Sequence, residues 1–114
     1  MDLNDLDINS ENMSEEQQNQ LLFMMLVQQH QQIAMMGMGK IKNPSTDKVE
    51  REMSSAKFAI DTLLMLKEFT KGNLPKELKS YLDQTLNNLR INYAEEKEKD
   101  EAATENGEAD QEQE

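Results

Sequence analysis

Seven consecutive apolar residues, Leu21, Leu22, Phe23, Met24, Met25, Leu26 and Val27, stand in an otherwise polar N-terminal third of the chain. Upstream, Ser14-Glu15-Glu16-Gln17 has the spacing of a capping box, in which a Ser hydroxyl and a Gln side chain satisfy free amides at a helix start. The run therefore falls inside a helix predicted to reach about Met36 and to stop at Gly37, which can take the left-handed conformation. A surface helix shows one apolar stripe, whereas seven apolar residues in a row cover every face of two turns. Gln28, Gln29, Gln31 and Gln32 interrupt the pattern, and Ile33-Ala34-Met35-Met36 resumes it. Such a helix has to be covered on more than one side. Leu21, Leu22, Phe23, Met25, Leu26, Ile33 and Met36 are the candidate interaction surface.

The rest of the chain offers limited cover. Gly39 and Asn43-Pro44 break the chain after the first helix. A second helix is expected over residues 50–71, with Met53, Ala56, Ile60, Leu63 and Leu64 on one face and a second stripe of Phe58, Met65 and Phe69. Gly72-Asn73 closes it, and Pro75 opens a third helix, where a missing amide costs little. There Leu78, Leu82, Leu86, Leu89 and Tyr93 recur every three or four residues. The short link between the second and third helices predicts an antiparallel hairpin. No useful stretch alternates with period two. The expected fold is all-α: three helices, a long apolar first helix packed on an antiparallel helical hairpin, with disordered acidic termini. The expected boundaries are a flexible acidic arm at 1–13, a helical domain at 14–95 and a disordered acidic tail at 96–114. A body of about 80 residues supports only a marginal core.

Charge is unevenly placed in this 114-residue chain of net charge −11. Residues 1–14 carry four acids and no base, and residues 95–114 carry ten acids against Lys97 and Lys99. The middle has nine acids and ten bases, so the acidity belongs to the ends. That distribution lacks the basic stripe that phosphate contacts require, and nucleic-acid binding is not expected. In the arm, Leu3, Leu6 and Ile8 are the apolar residues available for local docking. The acidic opening does not read as a secretory signal or transit peptide. No apolar run approaches the roughly 20 residues of a membrane span. With no Cys there is no disulfide framework and no thiolate chemistry. A cytoplasmic setting is expected.

Candidate chemistry is sparse. His30 is the one histidine; Leu26 and Ala34 occupy the i±4 positions where metal partners would stand, so it reads as a half-buried helical side chain. Gly37-Met38-Gly39-Lys40 lacks the earlier Gly and the following Ser or Thr of a phosphate loop and reads as a helix stop. Asp61, Glu68, Glu77 and Asp83 read as the wet side of amphipathic helices; a buried pair among Asp61, Glu68 and Asp83 would instead point to an enzyme. No enzyme, metal site or cofactor is expected. Met24, Met25, Met35, Met36 and Met38 cluster on the first helix and its exit. Met serves as core filler or as an adaptable binding surface.

From residue 43 onward the chain resembles a known family. NPSTDKVE at 43–50, AKFAIDTLLMLKEFTKGNL at 56–74 and LNNLRINYAE at 86–95 carry the resemblance. With the Met- and Gln-rich first helix, they are similar to the bacterial domain of unknown function number 1844. Two departures are Pro75-Lys76, where Thr or Ser leading into acids is expected, and Asp47, where Gly is common and Asp is tolerated. The resemblance implies a small bacterial cytoplasmic protein and supplies no activity, cofactor or functional residue. The leading expectation is a non-enzymatic interaction module that self-associates through the Met-rich helix. The alternative is a holdase-like or adaptor module that binds apolar client segments through the same helix. The partner is therefore a second copy or another protein.

Overall fold

The computed structural model describes residues 13–112, with side chains through residue 104. Apart from Met13, the arm assigned to 1–13 lies outside the described residues, as do residues 113 and 114. Three helices account for the fold: α1 at Glu15–Gly37, α2 at Met53–Phe69 and α3 at Lys76–Glu112. Among the described residues no strand forms; one isolated bridge pairs Asn43 with Lys48.

Helix α1 starts as the capping box requires. The Ser14 hydroxyl accepts from the Gln17 amide at 3.1 Å, and the Gln17 side chain accepts from the Ser14 amide at 3.0 Å. Its end differs from the expectation. Gly37 is the last helical residue rather than a left-handed stop, and the positive φ of 77° belongs to Gly39. Gly37 is needed for a different reason. A Cβ there would meet the Ala56 nitrogen and the Glu52 carbonyl oxygen, each at 2.8 Å. Ala34, Gly37, Ala56 and Ala59 are all buried, so small residues let α1 and α2 approach closely.

The connection between these helices is built from short-range bonds. The Asn43 side chain accepts from the Ser45 amide at 2.9 Å and donates to Glu50 at 3.0 Å. Asp47 sits at φ 57°, a left-handed conformation that Asp adopts more readily than most residues. Helix α2 begins three residues later than expected. Arg51 and Glu52 stay out of it because Glu52 is extended, its amide bonding the Gly37 carbonyl at 2.8 Å, while Arg51 reaches the Met38 carbonyl at 2.7 Å. At the far end Gly72 turns the chain at φ 83°. Pro75 lies just before α3, its carbonyl accepting the first helical bond from Lys79 at 3.0 Å.

The core lies between the three helices. Val27 and Ala34 from α1, Ala56, Ala59, Ile60 and Leu63 from α2, and Leu82, Leu86 and Leu89 from α3 enclose it, with Met38 closing one end. Close contact between Gly37 and Ala56 holds the exit of α1 against the start of α2. Contact between Arg51 and Glu96 brings α3 back alongside. The sequence boundary at residue 95 is not a structural one: α3 continues to Glu112, and Glu96, assigned to the tail, is buried. Residues 94–104 are rich in Ala, Glu and Lys, which favour helix, and contain no Gly or Pro to stop it.

Candidate interaction surface

Helix α1 divides its apolar residues between two faces. Val27 and Ala34 are buried, and Phe23 packs against them from the same side. Leu22, Leu26 and Ile33, at i, i+4 and i+11, share the face turned away from the core, with Leu22 54% exposed. Leu21, Met25 and Met36 are half-buried. The candidate surface therefore resolves into an outer stripe of Leu22, Leu26 and Ile33, flanked by Met25 and Met36. Phe23 belongs to the core side. Ile33 and Met36 also line a shallow depression with Gln29 and Gln32.

The second stripe of α2 points outward as well. Phe58 is 75% exposed and Phe69 79%, with Met65 between them. Thr62 lies on the same line, its hydroxyl turned back to the Phe58 carbonyl at 2.8 Å, so the stripe presents little free polarity. Sequence spacing separated this stripe from the core-facing one but gave no sign of which would be buried.

The methionines do not form one open groove. Met38 is fully buried, and Met35 and Met53 pack on the core, leaving Met24 and Met65 as the more exposed. His30 is half-buried; its Nδ1–H donates to the Leu26 carbonyl at 2.9 Å. Asp61 is exposed and paired with Lys57 at 2.6 Å. Asp83 stands between Lys79 at 2.8 Å and Lys67 at 3.0 Å, and these two ammonium groups hold its carboxyl below the usual range. Glu68 lines the same pocket as Asp83 but is exposed, so the two are not a buried acid pair. A carboxylate kept ionised by two lysines is poorly suited to giving and taking protons near neutral pH. Among the described residues, no three His, Cys, Asp or Glu side chains are placed to hold a metal ion.

A charged cluster that the sequence reading missed fixes the other end of the bundle. Glu96 has a side chain only 7% exposed and accepts from Arg51 Nη1, with Lys99 at 2.9 Å and Lys40 at 3.2 Å. The ammonium of Lys99, the Arg51 guanidinium and the Lys40 ammonium hold the Glu96 carboxyl down to about 2. Arg51 also donates to Asp100 at 2.7 Å and to the Met38 carbonyl. One guanidinium thus joins the exit of α1 to two successive turns of α3. The signal was present in the spacing: Leu82, Leu86, Leu89 and Tyr93 continue by helical steps to residues 96 and 100.

The sequence model described as "Domain of unknown function (DUF1844)" matches residues 12–95. The chain belongs to that family. The match takes in all of α1 and α2 and the buried stripe of α3, and it ends one residue before Glu96. No curated protein and no solved structure gives a significant match. No helix among the described residues is long and apolar enough to cross a membrane.

Proposed function

We propose that this DUF1844 chain is a non-enzymatic helical interaction module that self-associates through the outer face of α1. The observation that carries the reading is the division of α1. With one face filled by the core, the chain still leaves Leu22, Leu26 and Ile33 uncovered on the other. Apolar side chains left exposed along one helix face, here with Gln29 between Leu26 and Ile33, form a candidate interaction site. A second copy presents the same stripe, as a two-fold interface requires. The placement of Met35 and Met38 in the core favours this reading over the client-binding alternative, because it removes two of the five clustered methionines from any adaptable groove.

The test is the mass in solution, by light scattering after size exclusion, over a hundredfold range of concentration. A dimer or larger species is expected, converted to monomer by Leu26→Asp with Ile33→Asp, while circular dichroism shows the helices retained. A wild-type chain that is monomeric throughout the range overturns the proposal. Suppression of a model client's aggregation by that monomer would favour the holdase-like alternative.

A further inference from the structure

A pocket of about 340 Å³ opens where α2 turns into α3. Leu74 and the buried Leu82 give it an apolar lining, and Lys67, Lys71 and Lys79 stand around it. Glu68 and Asp83 also line it, so three ammonium groups face two carboxylates. Asp83 is shared between Lys67 and Lys79, which leaves that triad with a surplus positive charge.

The chain that lies outside the described residues enters beside this pocket. Met13 leads directly into α1, whose residues Glu15 and Glu16 line an open groove. That groove and the pocket have Thr70, Gly72 and Leu74 in common. Residues 1–12 contain Asp2, Asp5, Asp7 and Glu11 without a Lys or Arg, and set Leu3, Leu6 and Ile8 among them. Extended chain covers about 3.3 Å per residue, so Ile8 can lie up to about 17 Å from Met13 and Leu3 up to about 33 Å. The acidic end of α3 has no such access. The helix is continuous, which carries residue 101 about 27 Å along its axis from Asp83.

We propose that the N-terminal arm folds back over the α2–α3 turn and seats apolar side chains from Leu3, Leu6 and Ile8 in the lysine-rimmed pocket. The neighbouring aspartates then lie against Lys67, Lys71 and Lys79. A short tether holds the arm at an effective concentration in the millimolar range, so modest contact is enough to dock it. This docking surface is separate from the outer face of α1, and either proposal can fail alone.

The absence of Cys makes the test direct, since Asp5→Cys in the full chain supplies a single site for a spin label. The expected result is loss of amide signal at Lys71, Leu74 and Lys79, with the loop at residues 43–48 spared, and with the pattern unchanged on dilution. Lys71→Glu, or serine at Leu3, Leu6 and Ile8 together, is expected to restore those signals without unfolding the chain. Losses no greater around the pocket than at residues 43–48 overturn the proposal. So does signal loss in an unlabelled chain mixed with the labelled one, because the arm would then sit on a neighbour.

Discussion

Gly37→Ala isolates the close crossing of α1 and α2. The added Cβ meets the Ala56 nitrogen and Glu52 carbonyl oxygen at 2.8 Å, and the Ala56 Cβ at 3.0 Å. The two nearest atoms are backbone, and they are partners in the first-turn bond of α2, at 3.3 Å. No rotamer change can relieve the clash. Restoring an ordinary contact needs the helices to part by about 0.6 Å, which would loosen the packing of Ala34 and Ala59 and strain the bond from the Glu52 amide to the Gly37 carbonyl. Overpacking of this kind costs about 1–3 kcal/mol. Against it stands the better helix propensity of Ala, about 0.5–1 kcal/mol, at a position inside α1. At the midpoints of these ranges the clash wins by about 1 kcal/mol, which lowers the melting temperature by about 4–8 °C for a domain of this size.

The assay is urea unfolding followed by circular dichroism at fixed protein concentration, so that self-association does not enter the comparison. Gly72→Ala is the control. Gly72 has nothing within 4 Å but a φ of 83°, so its loss is conformational, about 1–2 kcal/mol. Asn at position 72 is expected to recover part of that loss, because Asn tolerates the left-handed region; Asn at position 37 recovers nothing. A Gly37→Ala variant as stable as the wild type would refute the close-crossing argument.

Other outcomes follow from the same geometry. Glu96 is held at about 2, below its ordinary 4.5, so its contribution to stability is full above that ordinary value and fades as pH falls towards 2. Glu96→Gln is expected to lower stability at neutral pH and to flatten the acid side of the profile, measured as urea midpoints between pH 7 and 2.5. Asp47→Gly relieves a φ of 57° and is expected to raise stability by up to about 1 kcal/mol, whereas Asp47→Val should lower it by a similar amount. Phe58→Ala, at a side chain 75% exposed, is expected to change monomer stability by less than about 0.5 kcal/mol; a larger loss at a fixed low concentration would show that the outer stripe of α2 is covered.

The fold was legible where one residue type does one job. The capping box at Ser14, the leucine stripe of α3 and the two apolar stripes of α2 all follow from spacing alone, because burial and amide satisfaction repeat with the helix period. The expectation failed at Gly37, where a glycine before a loop suggested a stop. Its real constraint is a neighbouring backbone 15 or more residues away, at Glu52 and Ala56. The early start assigned to α2 failed for a related reason. Arg51 and Glu52 suit a first helical turn by composition, but they bond to the exit of α1. Local propensity carries no record of such partners. The outer stripes of α1 and α2 were visible as apolar surplus, yet only packing showed that Phe23 turns inward and Leu22 outward.

Glu96 shows how a charge pattern misleads when composition is read in blocks. The last twenty residues are strongly acidic as a group, which suggested that none of them is buried. Register gives a different answer. Glu96 occupies the place where the stripe of Leu82, Leu86, Leu89 and Tyr93 would next bury a side chain, and Lys40 and Arg51, both within the family match, converge there. A carboxylate in that position is stable only with partners supplied, because burying an unpaired charge is costly. Two truncations are expected to behave differently. Cutting after Glu95 removes the buried acceptor and leaves Arg51 with only the Met38 carbonyl, so the bundle should unfold at lower urea than the full chain. Cutting after Glu101 keeps Glu96, Lys99 and Asp100, and the urea midpoint should stay with that of the full chain. Equal midpoints for the two truncations would mean that the cluster decorates the end of the bundle without holding it together.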